Sequence, residues 1–123
     1  MTDYHEQWDA LPEPVRDIHR GLSSLKEEIE AVDWYHQRYE LAGDAELKRV
    51  IAHNRDEEIE HAAMTLEWLR RNMPGWDAAL RTYLFTESAI TEKEAEQNGS
   101  PAPDAAGAPS KVRALPIGSL KGK

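Results

Sequence analysis

The sequence predicts an all-α protein: two long amphipathic helices in an antiparallel hairpin, a short third helix, and a second copy completing a four-helix bundle. Three observations predict it. Apolar residues recur in alternating steps of three and four, through Val15, Ile18, Leu22, Leu25, Ile29 and Val32. The same steps run through Leu47, Ile51, Asn54, Glu58, His61, Thr65 and Trp68. This is the spacing of one helix face packed along another. Only Leu41-Ala42-Gly43-Asp44 separates the two patterns, and so short a connection joins antiparallel neighbours. Finally, roughly 80 to 90 residues carry helical pattern, a small core for a monomer. With no cysteines to staple the fold, oligomerisation is the expected remedy.

The elements follow in order. Residues 1–13 are expected to be a flexible N-terminus, acidic and without the apolar core of a signal peptide. Pro12 and Pro14 mark a helix start, and the helical domain is expected over 14–96. The first helix runs to about Tyr39, with Gly21 as an interior weak point. Gly43 stands near its end, and Asp44 is the N-cap of the second helix. That helix is expected from about Ala45 to Asn72. Arg70 and Arg71 oppose its negative dipole end, and Pro74-Gly75 stops it. Trp76 to about Phe85 reads as the third helix, and acidic Ser88 to Glu96 as a further turn. Residues 97–114 have nothing to bury and read as a disordered linker. The remaining segment, 115–123, carries an apolar hexamer, Leu115-Pro116-Ile117-Gly118-Ser119-Leu120.

Net charge is −8, unevenly spread. Residues 98–123 hold Lys111, Arg113, Lys121 and Lys123 against Asp104 alone, +3, which leaves −11 on the body. An acidic body argues against nucleic-acid binding, which needs a basic footprint. It suits attraction of cations, although a solvated helical surface accounts for most of the charge. No apolar run approaches a bilayer span. The lack of cysteine excludes thiolate zinc sites, iron–sulfur clusters and thiol catalysis. It fits a reducing cytoplasm.

Glu58 and His61 interrupt the second apolar seam at a spacing of three, which makes their side chains neighbours. A carboxylate on such a seam is costly to bury without a partner. A cation is a good partner for a carboxylate and an imidazole together, and this donor mixture suits iron, manganese or zinc. Glu28 interrupts the first seam in the same way. Di-iron helical bundles draw one Glu from each of two helices and Glu-x-x-His from each of two others. One chain offers half of that set, so a dinuclear site implies two chains. Glu27 and Glu30 read either as a weaker cation site or as solvated surface. Tyr35 lies two turns along from Glu28 and could hydrogen-bond a ligand carboxylate; for Trp34, packing is the better reading. His53 stands four residues before Glu57, a spacing that would also permit a site, but an exposed His is the better reading.

Three segments are recognisable. Residues 27–35 (EEIEAVDWY), residues 52–68 (AHNRDEEIEHAAMTLEW) and residues 80–87 (LRTYLFTE) resemble the encapsulated ferritins, ferritin-like cargo proteins of bacterial encapsulin nanocompartments. The resemblance covers about residues 15–95. It implies helical hairpins that pair into a ferritin-like four-helix bundle, with a dinuclear iron centre of two irons per dimer. It further implies a ring-shaped decamer and ferroxidase activity, the oxidation of iron(II) by dioxygen. The family's iron ligands fall on Glu28, Glu58 and His61. Tyr35 and Trp34 match neighbours of the centre, and Glu27 and Glu30 match an accessory metal site on the approach. The family's mineral is held by the encapsulin shell, which places the protein in the shell lumen within the cytoplasm. Leu115, Ile117, Gly118, Ser119 and Leu120 resemble the encapsulin-targeting peptide, whose partner is the shell protein. Two rivals stay open at this point: a peroxide-consuming di-iron protein of the rubrerythrin kind, and a non-catalytic helical adaptor.

Overall fold

A computed structural model describes residues 4–99. These contain a 3₁₀ turn at Trp8–Ala10 and four α-helices: α1 (Glu13–Leu41), α2 (Ala45–Asn72), α3 (Trp76–Tyr83) and α4 (Ile90–Gly99). There is no strand among the described residues, and none of their helices is long and apolar enough to cross a membrane. The described residues fall into two compact units, 4–74 and 75–99.

In the first unit α1 and α2 form the expected hairpin. Pro12 precedes the first helical residue and Pro14 occupies the first turn, where a missing N–H leaves no bond unmade. The Ala42 N–H closes α1 on the Arg38 carbonyl, and α2 opens immediately with Asp44 as its cap. The Asp44 carboxylate accepts the Leu47 N–H at 2.9 Å. Close to the turn, the Arg55 guanidinium donates to His36 Nδ1 at 3.2 Å and stacks over the Tyr39 ring, which Lys48 also approaches at 4.8 Å. These cross-helix contacts tie together an end of the hairpin that has little apolar surface to bury.

The face that α1 turns to α2 differs from the expected seam. The less exposed positions are Ile18, Gly21, Leu25, Glu28, Val32, Tyr35 and Tyr39, stepping by three and four. Val15, Leu22 and Ile29 are 45%, 37% and 55% exposed. The apolar arc of α1 is thus two stripes, each stepping by seven residues, and one hairpin covers one of them. On α2 the ends of the expected seam, Leu47 and Trp68, are also exposed, whereas Ile51, Asn54, Glu58, His61 and Thr65 are half-buried. Leu69 is the only fully buried apolar side chain among the described residues. Gly21 lets the Trp68 ring pack closely on α1, because a Cβ there would meet Trp68 Cζ3 at 3.0 Å.

Residues 4–12, expected to be loose, pack against α1. The Arg16 guanidinium stacks on Trp8 at 3.7 Å, and its Nε donates to the Trp8 carbonyl at 3.2 Å. The Tyr4 and His19 rings lie 4.0 Å apart. Tryptophan is the most favourable ring for a cation–π contact, a signal not read from the sequence.

At the far end of α2, Arg70 and Arg71 both donate to Glu67, at 2.7 to 2.8 Å. These bonds lower the Glu67 pKa from 4.5 to about 2. A depressed carboxylate stabilises the fold above its unfolded value, and that contribution is lost as pH falls from about 4.5 through about 2. Solvent screening keeps the effect modest. Glu67→Gln should therefore lower the melting temperature at pH 6 by a degree or less, with the gap closing at pH 2. Melting curves at both pH values check this.

In the second unit, Gly75 precedes α3 with φ of +100°, a conformation suited to glycine. Burial, and then the nearby Glu94 charge, raise the Tyr83 pKa. Phe85 adopts φ of +60° and is fully exposed. The expected acidic turn is a ten-residue helix, α4, which carries helical structure three residues into the segment 97–114 assigned to the linker. The rest of that linker and the 115–123 segment lie outside the described residues.

Candidate metal centre

Glu28 sits near the middle of α1 on the face turned to α2. Its Oε1 is buried and accepts no hydrogen bond, alone among the described side-chain atoms. Leaving a buried acceptor unpaired costs about 1–3 kcal/mol, and more for a charged group. Such an atom is normally explained by a missing partner, and the partner best suited to a carboxylate is a cation.

Glu58 and His61 stand on the facing helix. The helix repeat brings Glu58 Oε1 within 3.6 Å of His61 Nδ1, with the side chains 27% and 42% exposed. The separation is too long for a hydrogen bond. It is short enough for both donors to reach one cation through bonds of about 2 Å. No group of three or more His, Asp or Glu side chains is assembled closely enough to hold a metal ion among the described residues. The chain therefore presents a pair of donors and a facing orphan carboxylate, an incomplete set whose chemistry fits a hard or borderline cation.

The remaining expected residues are placed less tightly. Glu27 and Glu30 are exposed on α1. Tyr35 is half-buried with its ring beneath the Arg38 guanidinium, 5.6 Å away, rather than against a carboxylate of its own chain. Trp34 is 49% exposed and lines a shallow recess with Gln37 and Arg38. Leu115, Ile117, Gly118, Ser119 and Leu120 lie outside the described residues. One neighbour of His61 escaped the sequence reading, which paired Glu57 only with His53. Glu57 Oε1 lies 3.9 Å from His61 Nε2, and its Oε2 lies 4.0 Å from His53 Nε2. The signal was present in the four-residue spacing of His53, Glu57 and His61.

A helical hairpin with acidic and imidazole donors on its inner faces defines a protein of the ferritin-like class. The chain belongs to the EncFtn-like family, which it matches over residues 3–87. It is 62% identical over 100 residues to a ferritin-like protein of Thermotoga maritima, an alignment spanning 80% of this chain and 88% of the relative. It is 53% identical over 123 residues to an encapsulated ferritin-like protein of Rhodospirillum rubrum, spanning 97% of this chain and 88% of the relative. A crystal structure of a Nitrosomonas europaea protein, 53% identical, superposes with a TM-score of 0.71 over 72% of this chain and 98% of its own. The α4 helix begins beyond the stretch matched by the family.

Proposed function

We propose that this chain is a ferroxidase: two iron(II) ions, held between two copies of the chain, each give one electron to dioxygen. Glu28, Glu58 and His61 of each copy would hold the substrate irons, with Glu58 as the carboxylate the two irons would share. The observation that carries this reading is the orphaned Oε1 of Glu28 on the inner face of the hairpin. A second copy supplies the donors that one chain lacks. It also covers apolar surface that the hairpin leaves open, including the stripe of Val15, Leu22 and Ile29 and the side chains of Met64 and Trp68. Dimers built this way associate further into a ring, proposed as a decamer.

The chemistry asked of these residues is electrostatic. Carboxylates favour the more charged iron(III) state over iron(II), which promotes electron loss. Glu27 and Glu30, exposed on α1, attract iron(II) toward the centre, adding to the field of the acidic body. Tyr35, two turns along α1 from Glu28, would orient a ligand carboxylate. The product is passed on for mineralisation within an encapsulin shell. The name of the Rhodospirillum relative supports that location, as does the hexamer at 115–120 resembling a targeting peptide.

Because each chain carries half a site, iron stabilises the associated state by mass action. Adding iron(II) anaerobically to metal-stripped protein should shift its mass from monomer to dimer and larger rings in native mass spectrometry. Admitting air should then produce iron(III) absorbance. An iron-loaded, active monomer would overturn the reading.

A further inference from the structure

The two ring nitrogens of His61 face different carboxylates. Nδ1 lies 3.6 Å from Glu58 Oε1 and Nε2 lies 3.9 Å from Glu57 Oε1. The imidazole is thus flanked by the glutamates three and four residues before it on the same helix. The two glutamates are not equivalent. Glu58 is 27% exposed and Glu57 49%, so Glu58 is the more sheltered of the pair, on the helix that faces Glu28. A cation shared by Glu58 and His61 takes the Nδ1 side of the ring. A neutral imidazole that gives one nitrogen to a metal carries its proton on the other. The Nε2–H then points toward Glu57 Oε1, and closing the gap by about 1 Å makes a hydrogen bond.

We propose that Glu57 is a positioning residue for the metal centre: it accepts the Nε2–H of His61 and so holds the ring with Nδ1 toward the cation. The inference rests on the reading of Glu58 and His61 as metal ligands. A carboxylate in this position fixes the tautomer and raises the basicity of the ligating nitrogen, and removing such a group typically lowers metal affinity about 10–100-fold. His53 approaches the other oxygen of Glu57 from a side chain that is 71% exposed, and the proposed role does not need it.

The test is anaerobic titration of the full metal-stripped chain with cobalt(II), followed by its visible d–d absorption. The variants are Glu57→Ala, Glu57→Gln, His53→Ala and His61→Ala, each first matched to the parent in helical circular dichroism. Glu57→Ala should weaken cobalt(II) binding about 10–100-fold yet reach the parent spectrum at saturation, because the ligand set is unchanged. Glu57→Gln, whose amide oxygen still accepts, should recover most of the loss, and His53→Ala should bind like the parent. A changed spectrum at saturation in Glu57→Ala, without rescue by Gln, would make Glu57 a ligand and overturn the positioning role. Parent-like affinity in Glu57→Ala beside a deficient His61→Ala would overturn that role alone. Parent-like affinity in His61→Ala would overturn the ligand reading and the role of Glu57 together.

Discussion

Replacing Glu58 or His61 by alanine is expected to remove bound iron and to lower the rate of iron(II) oxidation by at least about tenfold, toward that of a buffer blank. Both side chains lie on the half-buried face of α2, and their donor atoms are 3.6 Å apart. The consequences for assembly differ. Two copies bring several carboxylates together, and without a cation they repel one another. Glu58→Ala removes one charge from each copy, so association should survive where activity does not. His61→Ala leaves the carboxylates in place, so its metal-free dimer should be no more stable than the parent. Glu28→Gln tests the orphan oxygen separately. Loss of an unpartnered charge should raise the melting temperature of the metal-free protein while weakening iron binding. Stopped-flow absorbance and melting curves on one preparation check all three variants. Full-rate oxidation by Glu58→Ala or His61→Ala would sink the assignment.

The hairpin was legible because local signals agreed. Asp44 caps α2, Pro12 and Pro14 lie at the start of α1, and Ala45–Asn72 is the span expected from the arginines and Pro74 that end it. The inner face of α1 was legible only in part. A three-four repeat locates an apolar arc and does not say which edge of that arc a single neighbour will cover. Ile29, expected on the seam, therefore turns outward, while Glu28 and Tyr35 lie on the half-buried face. Glu58 and His61 could be singled out because polar groups in an apolar pattern are conspicuous. Glu57 was not, because it lies one residue off that pattern among many exposed acids. The packing of Trp8 on Arg16 was missed for a similar reason, since two residues outside any periodic pattern gave no sign of contact.

Deleting residues 115–123 is expected to abolish capture by an encapsulin shell and to leave iron oxidation unchanged. The motive is in the sequence: Leu115, Ile117 and Leu120 are apolar anchors at alternate and near-alternate positions, separated from the helices by residues with little to bury. A short apolar peptide recognised by a preformed groove carries its own binding determinants. It gains from its body mainly effective concentration, through the number of copies displayed on one assembly. The proposed donors Glu28, Glu58 and His61 and both helices of the hairpin lie in the unit before residue 75, so the deletion touches nothing that holds iron. Two measurements separate the functions. Co-purification of the truncated chain with co-expressed shell protein should fall to background, while its iron(II) oxidation rate and oligomer mass stay at parental values. Fusion of residues 115–123 to an unrelated soluble protein should confer capture, more strongly when the carrier is itself oligomeric. Packaging of the truncated chain at the parental level would show that the shell reads the folded body instead, and the location proposed for this chain would then need a different determinant.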